Sequence, residues 1–542
     1  MKNSTISFVA FMVVCLICIS SYASTLTVED RAKLGNVYSL EQLNKYDQAI
    51  ADITDLYQRY PDEPEVKWEY AKVLGSGGDW KEAVKVLDEF DNTPDYEKAT
   101  LWKARFLSWR GQLALSVSAY RQLMQEHPDN VLYYREGARV MGWAGNTSQS
   151  AALYDQACQR FPDDQALKAE AMAKKAYYRN LFFPAERAYH QWLALEPDNP
   201  EALFDLGQIY ARSKQYGAAR EDYAELLNKY PNNAQARAVL DKARVYDQGW
   251  RVEGGFLRDE QSGKTRQVDA RLYDSWEQVE KSILGNMTFG IRTDEMDYSF
   301  PGPLNVHRYR YAAYLEQDFL PDTFWKLGYG LSNSSNDNKH LQYRDAEVQF
   351  PLLTEHLLLN VSYKRDDFIQ NEAMLAEHLQ EDQYRARLSF RPIKRLEIGA
   401  DESHSQFTDG NNLDNYGGDV GWDLLYDPGR LTVKYRWQDW RFKESEPLYF
   451  SPHDFPSNRV SLEWEQTLNK NGLYWGANQF SYFLRYEFID DHGNQLGHAG
   501  SVGINWHINK RLTLRIEAKH IYYDHPGIYA DDEQTISLNF IF

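Results

Sequence analysis

The chain follows two sequence periodicities, and the change between them falls near residue 247. Before this point proline recurs about every 34 residues, at Pro61, Pro94, Pro128, Pro162, Pro197 and Pro231. After it, apolar and polar residues alternate along short segments as far as Phe542. Side chains return to one face every 3.6 residues on a helix and every two residues on a strand. The sequence therefore predicts helical hairpins followed by β-strands.

Small residues in the first half keep the same period as the prolines. One series lies eleven or twelve residues before each proline: Ala49, Ala83, Ser116, Ser150, Ala185 and Ala219. A second series lies about 24 residues before: Ala71, Ala104, Ala138, Ala173 and Gly207. A helix-turn-helix unit needs small side chains where its helices approach closely, and a proline where the second helix stops. The pattern resembles the tetratricopeptide repeat (TPR), and we assign residues 24–246 to a periplasmic TPR domain.

The first 23 residues are predicted to be a secretory signal peptide, cut after Ala23. They contain Lys2, an apolar run from Phe8 to Ile19, and small residues before the cut. The apolar run is too short to span a bilayer comfortably. We therefore expect an exported chain whose one remaining cysteine, Cys158, is a buried packing residue on a helix and not a reactive thiol.

Residues 247–542 are predicted to form an antiparallel transmembrane β-barrel of about sixteen strands. In one clear segment Leu512, Leu514 and Ile516 form an apolar face, and Thr513 and Arg515 lie on the other. No later segment is long and apolar enough for a membrane helix. The aromatic content, 14% of the chain, suits the aromatic girdles of an outer-membrane barrel. The fold class is thus α + β multidomain, an α-helical TPR solenoid followed by a barrel.

The connections between the predicted strands alternate in length. Short ones include 320–322 and 508–510, and long ones include 294–305, 366–378 and 443–456. Outer-membrane barrels have short turns on the periplasmic side and long loops outside. An even strand number then places both barrel ends in the periplasm, on the side of the repeats.

A barrel of sixteen strands is wide enough for an aqueous channel, so passage is the expected function. The acids predicted to line the path of the substrate are Asp345, Glu347, Glu397, Asp401, Asp419, Asp423, Glu463 and Glu465. Single ion contacts in water are worth only about 1 kcal/mol. Many weak sites can therefore guide a partly cationic polymer without stalling it. An equally open interpretation is that much of the excess of acidic over basic residues lies in outer loops, where it binds divalent cations beside lipopolysaccharide.

A TPR arm fused to such a barrel resembles the secretory porins for exopolysaccharide, of the poly-N-acetylglucosamine (PgaA/HmsH) and cellulose (BcsC) export types. Tyr449-Phe450-Ser451-Pro452 and the terminal Phe542 carry the resemblance at residue level. It implies a monomer in the outer membrane of a Gram-negative bacterium, with its N-terminal domain in the periplasm. It also implies a polysaccharide substrate and a periplasmic deacetylase or an inner-membrane synthase complex as partner. Phe542 would be the signal for the barrel-assembly machinery.

The arm departs from this family because it has about six repeats, where well-known members carry many more. Aromatic side chains that would line a polymer path along the repeats are Trp102, Tyr133, Tyr134, Tyr177 and Tyr178. Aromatic faces stack on sugar rings, but TPR interiors also use large residues at similar positions. Packing between helices therefore stays open for each of the five.

Other functions are weaker matches to the sequence. It contains no nucleophile elbow, zinc-protease motif or P-loop, so we predict no enzyme, no cofactor, no metal and no nucleic-acid partner. A second hypothesis is a translocator of surface lipoproteins, since assembly modulators of that kind also combine a short TPR region with a barrel. A passive porin is a third hypothesis, but a simple sieve has no need of the repeats.

Overall fold

The computed structural model describes residues 26–542, except 44, 92, 110, 232, 264–268, 284–285, 303–304, 336–338, 353, 394, 426–428, 469–478, 493–494 and 524–528. The predicted signal peptide lies outside the described residues. By its internal contacts the chain divides into two compact units, Met1–Ala171 and Met172–Phe542.

The first unit consists of antiparallel helical hairpins. Its helices are α1 (Val28–Gln42), α2 (Tyr46–Arg59), α3 (Pro64–Ser76), α4 (Trp80–Asp88), α5 (Tyr96–Trp109), α6 (Leu113–Glu126), α7 (Val131–Trp143), α8 (Thr147–Arg160) and the start of α9 (Gln165–Tyr178). The small residues at the predicted positions are fully buried, and Ser116 Oγ donates a 2.7 Å hydrogen bond to the carbonyl of Ala104. Small side chains thus let paired helices approach closely.

The second unit begins with four more helices after the end of α9. They are α10 (Phe182–Leu195), α11 (Pro200–Arg212), α12 (Tyr216–Lys229) and α13 (Ala234–Gln248). Asn199 caps α11, since its Oδ1 accepts from the backbone N–H groups of Glu201 and Ala202. Pro200 occupies the first turn, where it has no N–H to lose. Gly207 on α11 lies directly against the ring of Tyr223 on α12, where a Cβ would overlap the ring.

Lys174 is the most deeply buried charge among the helices described in the second unit. Its side chain is 2% exposed, and its Nζ binds Glu201 and lies 2.7 Å from Asp205 Oδ2. Tyr189 donates a further 2.6 Å hydrogen bond to Asp205. Burial alone would lower the pKa of Lys174, but Asp205 and Glu201 outweigh it and raise this pKa above its usual value. This network joins α9, α10 and α11.

The barrel follows directly after α13. Its strands are β1 (Trp250–Gly263), β2 (Asp269–Ile283), β3 (Met287–Ser299), β4 (Asn305–Leu320), β5 (Thr323–Ser334), β6 (His340–Leu352), β7 (Thr354–Asp367), β8 (Gln380–Ile393), β9 (Leu396–Phe407), β10 (Asn412–Leu425), β11 (Arg430–Phe442), β12 (Phe455–Thr467), β13 (Phe480–Asp491), β14 (Gln495–His507), β15 (Leu512–Tyr523) and β16 (Tyr529–Ile541). Each pairs antiparallel with its sequence neighbours, and β16 pairs with β1. Over the residues described, the predicted closed antiparallel barrel of sixteen strands is confirmed.

The strands run farther than their sequence pattern indicates. The segment 294–305 was expected to be a long loop, but β3 continues to Ser299 and β4 begins at Asn305. Inward-facing Asp294 forms a 2.6 Å ion pair with Arg292, and its side chain is almost fully buried. Charged residues therefore continue the inner face of the barrel instead of marking a solvated loop.

An apolar belt surrounds the barrel. Its outward side chains are large, apolar and exposed, as shown by Ile291, Leu327, Val420, Trp437 and Leu484. Such a surface is stable in contact with lipid and unfavourable in water, so this wall belongs in a membrane. In the described part of the chain, every helix is too short or too polar to cross a bilayer.

Replacing Asp222 by asparagine is expected to stabilise α12 at alkaline pH. Burial, with Glu225 and Glu221 nearby, raises the pKa of Asp222 from 3.8 to about 7. A raised folded-state pKa favours the protonated form, so its stabilisation is present below pH 4 and is lost as pH rises to 7. At pH 8 the free energy of unfolding of the variant should exceed that of the parent by about 1–3 kcal/mol.

The measurement is chemical unfolding of the full chain in detergent at pH 4 and pH 8, monitored by circular dichroism at the helical band. The gain should vanish at pH 4. Asp163→Asn, at an exposed position between α8 and α9, is the control, and its free energy of unfolding is expected within about 0.5 kcal/mol of the parent at both pH values. A gain of equal size at both pH values would contradict the prediction.

Candidate functional site: the barrel lumen

The strand register assigns alternate residues to the lumen. On β10, Val420 and Trp422 are exposed to the outside, so Asp419, Gly421 and Asp423 point inward. The same alternation turns polar and charged residues inward on the other strands. The interior is therefore a polar wall and not an apolar core.

A cluster of ionic side chains lies on the wall of β8–β11, and it includes Arg385, 3.5 Å from Asp401. Arg387 Nη1 is 2.8 Å from both Asp401 Oδ1 and Asp419 Oδ1. Arg436 Nη1 lies 3.0 Å from Asp401 and 3.3 Å from Asp419, and Lys434 Nζ lies 3.1 Å from Asp419. Both carboxylates are almost fully buried beneath the cations. The structure thus brings together two predicted path residues, Asp401 and Asp419, and covers them with positive charge.

Two inward-facing glycines make room for this cluster. A Cβ at Gly399 would overlap Arg387 Nη2 and lie 2.7 Å from Asp419 Oδ1. A Cβ at Gly417 would lie 2.5 Å from Asp401 Oδ2 and 2.9 Å from Arg436 Nη2. The two arginines consequently lie flat in a depression of the wall instead of projecting across the lumen.

Gly399→Ala is expected to narrow the channel although it adds a single methyl group. The methyl group takes the space of the Arg387 guanidinium, which must move toward the axis. Because the guanidinium is the end of a flexible side chain, the protein should lose little stability, and single-channel conductance in a planar bilayer should fall. Gly421→Ala is the matched control, because no atom lies within 4 Å of a Cβ there. Equal conductances in the two variants would contradict the prediction.

The other predicted path acids each have a partner outside this cluster, although Glu397 also lies 3.9 Å from Arg387. Asp345 lies 2.9 Å from Lys326, Glu397 lies 3.0 Å from Arg391, and Glu463 lies 2.6 Å from Arg485. Arg430 lies 2.5 Å from Glu465, Asn360 donates to Glu347, and Thr432 donates to Asp423. The lumen therefore presents short alternations of positive and negative charge.

Aromatic rings lie flat over glycines at three inward-facing positions. The cross-strand pairs are Gly255 with Trp276, Gly290 with Tyr314, and Gly503 with Phe483. In each pair a Cβ on the glycine would overlap the ring. Our sequence reading missed these pairs, although a glycine opposite an aromatic residue in the strand register is a usable signal. The rings line the wall and are partly exposed to the lumen.

Two loops cover the end of the barrel opposite to the one at which α13 leads into β1. Phe368, Met374 and Leu379 come from the β7–β8 loop, which contains α14 (Glu372–Glu377), and Tyr449 comes from the β11–β12 loop. They pack on inward-facing Phe407, Leu413 and Phe442. Tyr449 is fully buried, and its hydroxyl donates a 3.0 Å hydrogen bond to Asp409 and accepts one of 2.9 Å from Asn411. We call this set the far-mouth cluster.

The five helical aromatics proposed to line a polymer path differ in their surroundings. Tyr133 and Tyr134 are buried, Tyr133 bonds to Glu97, and the Tyr134 ring contacts Phe161. Trp102 is half-buried against Trp68, Phe106 and Trp109. Tyr177 and Tyr178 are half-buried, and Tyr177 contacts Phe182 and Tyr189. Trp102, Tyr133 and Tyr134 belong to the first unit and Tyr177 and Tyr178 to the second, and their part in a polymer path stays a prediction.

Phe542 closes the last strand beside the first. Its backbone N–H donates a 2.9 Å hydrogen bond to the carbonyl of Trp250, and its ring contacts that of Phe540. The side chain is exposed on the outer wall. Its role as an assembly signal stays a prediction. Over the described residues, no group of three or more His, Cys, Asp or Glu side chains is arranged to hold a metal ion. The Cys158 side chain is half-buried.

Two segments match tetratricopeptide repeat family models, residues 34–97 and residues 200–233. They lie at the two ends of the region in which the proline period predicts such repeats. No curated protein sequence matches the chain.

Several solved structures are similar in part. A bacterial polysaccharide outer membrane secretin is 10% identical with a TM-score of 0.44, over 55% of this chain and 99% of that chain. OccK5 (OpdH) of Pseudomonas aeruginosa is 12% identical with a TM-score of 0.32, over 54% and 98%. A tetratricopeptide repeat protein from Parabacteroides merdae is 11% identical with a TM-score of 0.29, over 40% and 98%.

At these identities and TM-scores, none of the solved structures assigns a function. The repeat matches and the strand topology together describe a chain in which TPR-type helical repeats precede a closed sixteen-stranded β-barrel of outer-membrane type.

Proposed function

We propose that this protein exports an exopolysaccharide through the outer membrane of a Gram-negative bacterium, from the periplasm to the cell surface. The best candidate polymer is partly deacetylated poly-N-acetylglucosamine. The chain resembles the secretory porins for such polymers in its order of domains and in the segment from Tyr449 to Pro452. The repeats would face the periplasm and bind the polymer, a deacetylase or the synthase complex.

The observation that carries this proposal is the composition of the lumen wall. Flat aromatic rings such as Trp276 and Tyr314 offer faces on which sugar rings stack. Paired charges such as Glu463 with Arg485 offer donors and acceptors to hydroxyl and amide groups. Because the charges of such a pair are already matched, a contact between them and the polymer replaces an existing contact and stays weak. Such a surface holds a sugar chain and still lets it slide.

The test is a clean deletion of the gene, followed by sugar analysis and lectin staining of the surface and the periplasm. Loss of a surface polymer with its accumulation in the periplasm is the expected result. Re-expression of the full chain should restore the polymer to the surface.

An unchanged amount of surface polymer in the deletion strain would overturn the proposal. A surface lipoprotein missing from the same strain would then favour the protein translocator. Leakage of small solutes as the sole difference would favour the passive porin.

A further inference from the structure

A cavity of about 560 Å³ lies at the end of the barrel where the helices join it. Ligand sites in proteins have volumes of about 300–1,000 Å³. The cavity is bounded by the inner wall of the barrel and by Tyr216 and Tyr246 from α12 and α13. Any chain that enters the lumen from this side passes beside it. We call it the mouth cavity.

The helices are fixed to the barrel at this end by charged contacts. Lys214, in the turn between α11 and α12, binds Glu316 on β4 and lies 3.5 Å from Asp318. Arg251 on β1 is buried, binds Glu280 at 2.5 Å and donates a 3.2 Å hydrogen bond to the carbonyl of Tyr246. These contacts hold Tyr216 and Tyr246 in place over the lumen wall.

Two charges that line the mouth cavity lack an ionic partner within the part of the chain that the structure describes. Glu253 on β1 accepts only a 3.4 Å hydrogen bond from Asn539, and no cation lies within 4 Å of it. Arg515 on β15 makes no hydrogen bond or ion pair to a described residue and is exposed to the cavity. In contrast, the path acids Asp345, Glu397, Glu463 and Glu465 are paired.

Tyrosine rings complete the lining. Tyr314, which lies over Gly290, and Tyr343 face the cavity from β4 and β6, and Tyr246 faces it from α13. Aromatic rings provide apolar faces for the C–H side of a sugar. A free carboxylate binds an amine, and a free guanidinium donates to carbonyl and hydroxyl oxygens. These are the groups of a sugar polymer in which some nitrogens are acetylated and others are not.

We infer that the mouth cavity binds a short stretch of an amino-sugar polymer, with a free amine on Glu253 and acetyl or hydroxyl oxygens on Arg515. This assignment rests on the proposed export function and adds the site where the polymer first engages the barrel. A glucosamine pentamer and its fully N-acetylated counterpart distinguish the two contacts, because only the first carries amines.

The experiment measures block of the ionic current through the purified full chain in a planar bilayer. In Glu253→Gln, block by the glucosamine pentamer should weaken about tenfold, and block by the acetylated pentamer should not change. In Arg515→Gln, block by both pentamers should weaken. The matched controls are Glu487→Gln and Arg459→Gln, which remove the same charges from an inward-facing pair outside the cavity, 3.4 Å apart. The current through both control variants should be blocked by the two pentamers as strongly as the current through the parent.

Equal losses in the cavity variants and the controls would overturn the inference, because the effect would then be one of net charge. Parent-like block in both cavity variants would also overturn it and leave the export proposal intact if the deletion strain loses surface polymer. Absence of block in the parent chain, together with normal surface polymer in the deletion strain, would overturn both.

Discussion

Lys174→Met is expected to destabilise the helices of the second unit by about 3–5 kcal/mol. The methionine fills a similar space but removes the positive charge between Asp205 and Glu201. Two carboxylates would then remain in a buried site with only Tyr189 as a described donor to Asp205. The loss should appear as a lower midpoint in chemical unfolding of the full chain in detergent, followed by circular dichroism at the helical band.

Lys229→Met provides the matched control. Lys229 lies 2.9 Å from Asp198, but both side chains are about half exposed. Surface ion pairs of this kind contribute about 0–1 kcal/mol. If the two variants unfolded at the same denaturant concentration, the buried network would not stabilise this unit in the way the structure indicates.

Tyr449→Ala is expected to open the far mouth of the barrel. Deleting a buried aromatic side chain costs about 3–5 kcal/mol, and here the ring joins the β11–β12 loop to Phe368, Phe407 and Phe442. Freed from the inner wall, the loops should let more ions and larger solutes pass. The measurements are single-channel conductance, which should rise, and sensitivity of cells to a large hydrophilic antibiotic.

Two other variants separate packing from hydrogen bonding at this position. Tyr449→Phe keeps the ring and loses only the bonds to Asp409 and Asn411, so its conductance should rise less. Leu448→Ala removes an exposed neighbour and should conduct like the parent. A conductance of Tyr449→Ala equal to that of Leu448→Ala would show that the far-mouth cluster does not hold the loops closed.

The sequence predicts the architecture well because each half follows a single geometric rule. An apolar residue at every second position, as at Leu512, Leu514 and Ile516, specifies a strand whatever lies beside it. A small residue such as Ala49 or Ala219 every 34 residues specifies close helix pairs in the same way. Such patterns are local, so they can be recognised without knowing which strands and helices are neighbours in the fold.

The site was harder to predict because it depends on neighbours that are distant in sequence. That Asp401 points inward follows from alternation, but its coverage by Arg387 and Arg436 depends on the register of β8 and β11. The depression at Gly399 and Gly417 depends on the same registers. Likewise, the segment from Asp294 to Asn305 was assigned to a long connection, and the strand that it contains is shown by the pairing of β3 with β4.

The pairing of β1 with β16 has a consequence for any route through the wall of the barrel. The two strands are matched from Arg251–Ile541 to Gly263–Tyr529 without a shift in register. Parting them inside a bilayer would leave backbone donors and acceptors in hydrocarbon, at a cost of several kcal/mol for each. The wall therefore offers no sideways exit into the lipid between β1 and β16. A lipid-bearing protein would need such a lateral exit, whereas a hydrophilic thread leaves along the axis and needs none.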